Sequence, residues 1–275
     1  MIRSTPTTVR QQDDFSRESL SSLDHIFAYY EYLAYISKWD VKKMGRMRYL
    51  ESRIPHPLFN YVYGHPSLMS AQDMEKFKVI FGSIPYTWII SSKKSKILQP
   101  FIQAFHLEKT ITNKCVHFDL NDQLMMPSLR EVTDLKLVHV QNHSEMTTFD
   151  RISSVCFHHE PGMQQEFMRG YIHSGFKNST MKLYLFVYQG EPVGITSTFS
   201  LDGTLGLYGG SILPQARYQG IASAMLVQFI DRAKKEGYEK LACQLLPVAM
   251  PFVSRFSPRE DDTVETYTLS KIFMR

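Results

Sequence analysis

Residues 211–237, "SILPQARYQGIASAMLVQFIDRAKKEG", limit the fold more than any other stretch of the chain. A strand-like apolar run meets Pro214, crosses a short polar turn, and takes up helical spacing from Ile221. Ala222, Met225, Leu226, Phe229, Ile230 and Ala233 recur at the i, i+3, i+4 intervals of a stripe that packs on a sheet. Lys234 and Lys235 suit the negative end of the helix dipole, and Gly237 stops the helix. The opposite end is bare. The first amides of a helix lack partners inside it, and a Ser, Thr, Asp or Asn side chain ordinarily caps them. Here Arg217, Tyr218 and Gln219 lead into Gly220 with no such residue at the cap. Glycine lets a ligand approach the backbone without meeting a Cβ, and Ala222 keeps the next turn narrow. Open amides, the positive dipole end and a neighbouring arginine suit an anion, most often a phosphate group. The Gly-Lys-Ser/Thr ending of a nucleotide-binding P-loop is absent.

The elements around this stretch form an ordered series. "TDLKLVHV" predicts a strand, and "SEMTTFDRISSVCFH" and "GMQQEFMRGYIHS" predict two short helices around a loop. The strands "KLYLFVYQ", "PVGITSTFS" and "TLGLYGGSIL" follow, joined by Gly-containing hairpin signals. Beyond the helix come the strand "YEKLACQLL", the short helix "VAMPFVSRF" and the strand "TVETYTL". The first half reads as an arm at 1–20, then a helix from Ser22 capped by Ser22 or Asp24, and an aromatic strand or irregular piece at "PHPLFNYVYGHP". Helix "SAQDMEKFKVIFGSI", strand "YTWIISS", helix "KILQPFIQAFHL" and strand "NKCVHFDL" complete it, before a linker near 121–132. The fold class is α/β (mixed α+β), a mixed and mostly antiparallel sheet flanked by helices.

Composition narrows the function classes. With 43 % hydrophobic and 21 % charged residues among 275, the chain is built to fold around a core. No apolar run approaches the roughly 20 residues that cross a bilayer, and the N-terminus lacks the apolar centre of a secretory signal. Cys115, Cys156 and Cys243 stand far apart, without disulfide-framework or zinc spacing, so a reducing, cytoplasmic setting is expected, with no metal. A net charge of +4 is too small to argue for nucleic acid. Its excess lies in residues 1–125, with 16 Lys+Arg against 12 Asp+Glu, and the basic run at 38–53 reads as a solvated face.

The spacing Arg217-Tyr218-Gln219-Gly220-Ile221-Ala222, within "SILPQARYQGIAS", resembles the R/Q-x-x-G-x-G/A signature of the GNAT superfamily of N-acetyltransferases. The element order from residue 132 onward is similar to that family's order. The resemblance implies acetyl-CoA as co-substrate. Ser211 and Ile212 would face the pantetheine arm, with strand amides as donors to the acetyl oxygen. Arg217, Tyr218, Gln219, Gly220, Ile221, Ala222 and Ser223 would hold the pyrophosphate. The helix–strand–helix–strand order of the first half parallels the end of the chain, which resembles tandem GNAT proteins: two tandem copies, the first degenerate, divided as 21–122 and 130–275. Ser70 caps the equivalent helix mouth in "YGHPSLMSAQD", so that copy is not expected to bind coenzyme A. It would shape the acceptor pocket, dimerise or dock a protein.

The catalytic groups implied by the family are incomplete. Where it often places a strand carboxylate, this chain has Tyr208 and Gln244, of which Gln244 cannot take a proton. The nearest carboxylate is Glu160 in "CFHHEPG", beside His158 and His159. The family's tyrosine acid is missing from "VAMPFVSRFSPRE", where Phe252 and Val253 stand in its neighbourhood, leaving Ser254 or Tyr267 as hydroxyls. Two readings follow: an N-acetyltransferase acting on an amine of a small molecule, peptide or protein by direct attack in a ternary complex, or a catalytically lapsed coenzyme A-binding scaffold working through its first half. Neither calls for a membrane.

Overall fold

The structure, a computed structural model, describes residues 20–64, 70–104, 106–122 and 132–269. The arm expected at 1–20 lies outside these except for Leu20, as does the expected linker between 123 and 131. In chain order the elements are α1 (Ser22–Ser37), β1 (Val41–Met44), β2 (Met47–Glu51), β3 (Asn60–Gly64), α2 (Ala71–Phe81), β4 (Thr87–Ser91), α3 (Ser92–Ala104) and β5 (Leu107–Asp119). They continue with β6 (Leu135–His139), α4 (His143–Phe157), α5 (Met163–Phe167), α6 (Arg169–His173), β7 (Met181–Tyr188), β8 (Glu191–Leu201), β9 (Thr204–Ile212), α7 (Ile221–Lys235), β10 (Lys240–Leu245), α8 (Met250–Val253) and β11 (Arg259–Leu269).

Local chemistry accounts for most of these boundaries. Gln189-Gly190 and Asp202-Gly203 both take positive φ at the two turn positions, which matches the right-handed twist of the strands they join. At the end of α7, Tyr238 N–H bonds the Ala233 carbonyl and Gly237 N–H that of Lys234, a glycine stop with both bonds made. The cap of α1 differs from expectation. Ser21 fills it, accepting from Asp24 N–H at 3.1 Å, because the helix begins with Ser22 already in its first turn. The second of the two expected helices is split at Met168 into α5 and α6. The basic run expected as a solvated face forms the hairpin β1–β2, with Lys38, Lys42, Lys43, Arg46 and Arg53 exposed and Gly45 (φ 59°) opening a two-residue turn between the paired Met44 and Met47.

All eleven strands form one sheet in the order β1-β2-β3-β4-β11-β5-β10-β9-β8-β7-β6. It is mixed and mostly antiparallel; only β3/β4 and β9/β10 run parallel, each pair joined through a helix, α2 or α7. The arrangement repeats internally, and the repeats exchange strands. The last strand of the chain, β11, lies against β4, whereas β5 lies against β10, and β5 and β11 pair with each other from Leu107↔Leu269 to His117↔Arg259.

Helices cover both faces. Beside α7, the side chains of Val116, Phe118, Tyr184, Phe186, Leu205, Leu207, Leu241 and Cys243 form one apolar layer. Trp88, Ile90, Val62 and Met47 pack with Phe77 and Phe81 of α2 and Leu98 and Ile102 of α3. The opposite face receives α1, α4, α5 and α6, whose cluster runs from Tyr61 and Tyr63 through Cys115 to Leu183 and Ile195. Helix α1 crosses between the two repeats. Tyr30 stacks on Tyr61 at 4.3 Å and Tyr29 on Tyr208 at 4.6 Å, so successive residues grip opposite halves of the sheet.

The end of α1 meets α6 without room for a side chain. A β-carbon at Gly170 would sit 2.0 Å from the Ile36 carbonyl oxygen and 2.5 Å from Ser37 N, both backbone atoms of another element. Gly170→Ala is therefore expected to destabilise the protein by about 3 kcal/mol through overpacking, read as a lower urea midpoint with unchanged slope.

Candidate functional site

The parallel partners β9 and β10 separate before either ends. Their pairing runs from Thr204↔Lys240 to Leu207↔Cys243 and stops, although β9 continues to Ile212 and β10 to Leu245. The cause lies on the other side of β9. Its register with β8 slips between Ile195 and Ser197, where an extra residue is accommodated and Gly209 takes φ 60°. Such a bulge bends its strand and increases the local twist. The Tyr208 carbonyl at the bend is held by Thr196 Oγ1 at 3.1 Å and Ser197 Oγ at 3.0 Å. Beyond Leu207, the edge of β9 away from β8 faces no strand among the described residues. Ser211 lies beside this opening, and its buried hydroxyl oxygen has no partner among the described residues.

The opening leads to the helix mouth. After Leu213 a single turn of 3₁₀ helix, Pro214–Ala216, reverses the chain, and Arg217 Nε donates to the Ile212 carbonyl at 2.9 Å. Tyr218 (φ 63°) is 99 % exposed, and Gln219 Nε2 donates to the Gln215 carbonyl at 3.3 Å. Gly220 (φ 83°) is the N-cap of α7 without any side-chain cap, and the first intrahelical bond belongs to Ala224 N–H. The amides of Ile221, Ala222 and Ser223 precede that bond and point out of the helix mouth. A β-carbon added at Gly220 would lie 3.2 Å from Val132 Cγ2 and at a φ that disfavours any side chain. Ser211, Ile212, Arg217, Tyr218, Gln219, Gly220, Ile221, Ala222 and Ser223 thus form one chain-continuous surface from the strand opening to the helix end.

The three candidate catalytic side chains are differently placed. Tyr208 is buried, and Gly206, which has no β-carbon, lets its ring fold back toward the start of β9. Its hydroxyl lies 2.6 Å from His25 Nδ1, and His25 Nε2 lies 3.3 Å from the Thr204 carbonyl. A carbonyl only accepts, so Nε2 carries the proton and Tyr208 donates to the bare Nδ1. Burial pushes the Tyr208 hydroxyl well above its ordinary range and lowers His25 to about 4, only partly opposed by the Thr204 bond. Gln244, half-buried on β10, points to the same face of the sheet as Tyr208, by the register of Gln244 with Cys115 and Ala242 with Gly206. Glu160 is exposed in the loop after α4 and makes no hydrogen bond or ion pair with either residue. Its carbonyl takes a bond from His159 Nδ1 at 2.9 Å, while His158 ends α4 in the left-handed conformation. Tyr267 donates to Glu265 at 2.6 Å and packs with α2 and α3, on the opposite side of the sheet from Tyr208.

Two residues at this place were missed by sequence reasoning. His25 sits one helical turn from Tyr29, and a histidine inside an otherwise apolar stripe is the signal that finds it. Asn113 of β5 shares the face of Cys115 and, across the strand pair, of Val264; its buried side-chain oxygen has no partner among the described residues. Among the described residues no three His, Cys, Asp or Glu side chains come together as metal ligands.

Residues 144–244, from α4 to β10, match a family model described as an acetyltransferase (GNAT) domain. The chain is similar in structure to a GCN5-related N-acetyltransferase from Kribbella flavida, with TM-score 0.61 and 13 % identity over 91 % of this chain and 96 % of that one. A conserved protein of unknown function from Staphylococcus epidermidis ATCC 12228 gives 0.58 and 14 %, over 83 % and 92 %. A GCN5-related N-acetyltransferase from Sphaerobacter thermophilus gives 0.57 and 12 %, over 81 % and 76 %. At such identities the likeness is one of fold. No curated protein matches the chain in sequence.

The His25–Tyr208 contact carries a pH signature. A histidine with a folded-state pKa near 4 stabilises the fold fully above its unfolded value of 6.5, and that contribution is lost as pH falls from 6.5 toward 4. His25→Gln keeps a donor and an acceptor without titrating. Urea denaturation from pH 7 to pH 4 is expected to show a smaller loss for the variant, by up to about 3 kcal/mol.

Proposed function

We propose that this chain, which carries a GNAT acetyltransferase domain at residues 144–244, transfers the acetyl group of acetyl-CoA to an amine by direct attack in a ternary complex. One observation carries the reading: the open edge of β9 continues without interruption into an uncapped helix mouth. The fit of acetyl-CoA rests on three features of that surface. Pyrophosphate oxygens would accept from the amides of Ile221, Ala222 and Ser223, where the helix dipole favours negative charge. Amide groups of the pantetheine arm would pair with the free edge of β9 beyond Leu207, as an added strand does. The unpartnered Ser211 hydroxyl gives that arm a further polar contact.

In the reaction the amine nitrogen bonds to the thioester carbon, the carbon–sulfur bond breaks, and the thiolate leaves with the electron pair. A free alkyl amine of pKa about 10.4 is neutral in only about one molecule in 10³ near pH 7. The protein must select that fraction or take the proton. Tyr208 already donates its hydrogen to His25 and serves to anchor β9 at its bend. Gln244 orients without titrating. Glu160, on the outer loop, would accept the proton through water, and the thiolate, with pKa near 8.5, leaves without a dedicated acid. Residues 130–275 would then be the acetyltransferase domain.

In this proposal residues 21–122 are a degenerate copy that binds no coenzyme A. Its parallel pair β3/β4 is joined up to Tyr63↔Ile89, next to the end of β3, with no comparable opening among the described residues. At its helix mouth Ser70 Oγ accepts from Asp73 N–H at 3.1 Å, and the Asp73 carboxylate receives Ser70 N–H at 3.1 Å. Side chains therefore occupy two of the backbone groups that an anion would use.

Gly220→Glu places bulk and negative charge at the helix mouth, and is expected to weaken acetyl-CoA binding at least 100-fold by calorimetry with the thermal transition retained. Unchanged affinity would place the nucleotide elsewhere. With saturating acetyl-CoA, log(kcat/KM) for the amine is expected to rise with a slope near one between pH 6 and pH 9, following the neutral amine. A plateau near pH 7 would reveal a buried base instead.

A further inference from the structure

The polar groups on the α1-covered face of the sheet converge where β9 and β10 part. Three strands contribute. Ser211 stands opposite Ile195, which lies in the α1-side core, and therefore faces that side. Gln244 stands opposite Cys115, also in that core. Asn113 is two residues along β5 from Cys115 and opposite Val264, a third member of the same core. By the β5/β10 register, in which Lys114 meets Leu245 at the end of β10, Asn113 lies just past the end of that strand. The oxygens of Ser211 and Asn113 are both buried and both without a donor or acceptor among the described residues. A buried carboxamide oxygen left without a donor is costly, and such atoms are rare.

We propose that Asn113, with Gln244 beside it, is the amine subsite: the Asn113 side-chain oxygen accepts a hydrogen bond from the acceptor N–H and holds the nitrogen lone pair toward the thioester carbon. This rests on the acetyl-transfer reading above. It also gives the N-terminal half a part in the reaction, because β5 belongs to that half and reaches the opening only through its pairing with β10. The subsite selects for charge as well. Tyr208, Ser211, Gln244, Asn113, Cys115 and Val264 stand around the opening on this face without a charge, and the carboxylate opposite Cys115, Asp262, is already taken by Ser91 Oγ at 2.8 Å and Thr263 N–H at 2.7 Å on the far side of β5. A carboxylate or second ammonium next to the reacting nitrogen would be stripped of water there without a counter-ion. The acceptor class is a primary amine on an uncharged carbon framework.

The test uses the full chain with acetyl-CoA, measuring thiol release with 2-phenylethylamine, glycine and spermidine. Wild type is expected to give its highest kcat/KM with 2-phenylethylamine. Asn113→Leu is expected to raise the KM for that amine at least tenfold, with kcat within about threefold and calorimetric acetyl-CoA affinity unchanged; Asn113→Gln, which keeps an uncharged carboxamide oxygen, should stay within about threefold of wild type in KM. An unchanged KM in Asn113→Leu removes Asn113 from the subsite, and a preference for glycine or spermidine overturns the uncharged class. Acetyl-CoA binding without release to any of the three amines overturns this inference and leaves the cofactor site standing. Failure to bind acetyl-CoA at all overturns the acetyl-transfer reading itself. If Asn113→Leu does not fold, Gln244→Leu carries the same KM comparison, with an unchanged KM counting against the subsite.

Discussion

The pairing of β5 with β11 holds the molecule together. Each of these strands follows the rest of its own repeat in sequence and lies against the other repeat in space. Neither half can bury its sheet edge alone, because the strand that covers each edge comes from the other half. The bond is reinforced from the helical side. Asp261, at a register shift in β11, accepts from the Ser22 backbone at 3.0 Å and from its hydroxyl, and lies 2.8 Å from His117 Nδ1. Burial opposes ionisation of that carboxyl, but the bonds from His117 and Ser22 outweigh it and hold the group at about 2. The start of α1, the end of the chain and the middle of the sheet meet at this one side chain.

The strand exchange makes the opening between β9 and β10 affordable to the fold. A strand that loses a neighbour exposes amides and carbonyls, and β9 does so for its last residues. Strand β10 stays in place because β5 pairs it over its whole length, from Lys240↔Asp119 to Leu245↔Lys114. Strand β9 keeps its bend because the hydroxyls of Thr196 and Ser197 grip the Tyr208 carbonyl, and Tyr29 and His25 of α1 grip the Tyr208 ring. The Tyr29 hydroxyl also meets Ser197 Oγ at 2.9 Å. The helix that spans the repeats is thus the helix that fixes the geometry of the opening.

Much of the second half was legible because its signals are local. The stripe from Ala222 to Ala233, the glycine stop at Gly237 and the two hairpin turns depend on residues within a few positions of one another. The open mouth at Gly220 was visible as a missing cap. What escaped needed partners far along the chain. Tyr208 reads as a hydroxyl near the chemistry until His25, 183 residues away, takes its hydrogen. The alternation in "NKCVHFDL" marks a strand but is silent about β10 and β11 as its neighbours, so Asn113 could not be tied to Gln244. The charged hairpin β1–β2 was hidden by its lysines, since an edge strand carries its polarity where a core strand does not.

Two helix mouths, each reached from a parallel strand pair, differ in how their first backbone groups are satisfied. At α2 a serine hydroxyl and an aspartate carboxylate close the exposed backbone groups, and the dipole is satisfied by the chain itself. At α7 a glycine stands in the cap position, φ is positive, and the amides are left for something else. The strands behave in parallel with their helices. Strands β3 and β4 pair nearly to the end of β3, whereas β9 turns away from β10 at Gly209. An open mouth without an open strand would bind an anion but would give an extended ligand no edge to follow. An open strand with a capped mouth would give the edge and refuse the charge. Among the described residues the second repeat joins the two, and β5, the strand that pairs β10 beside the opening, is lent by the first.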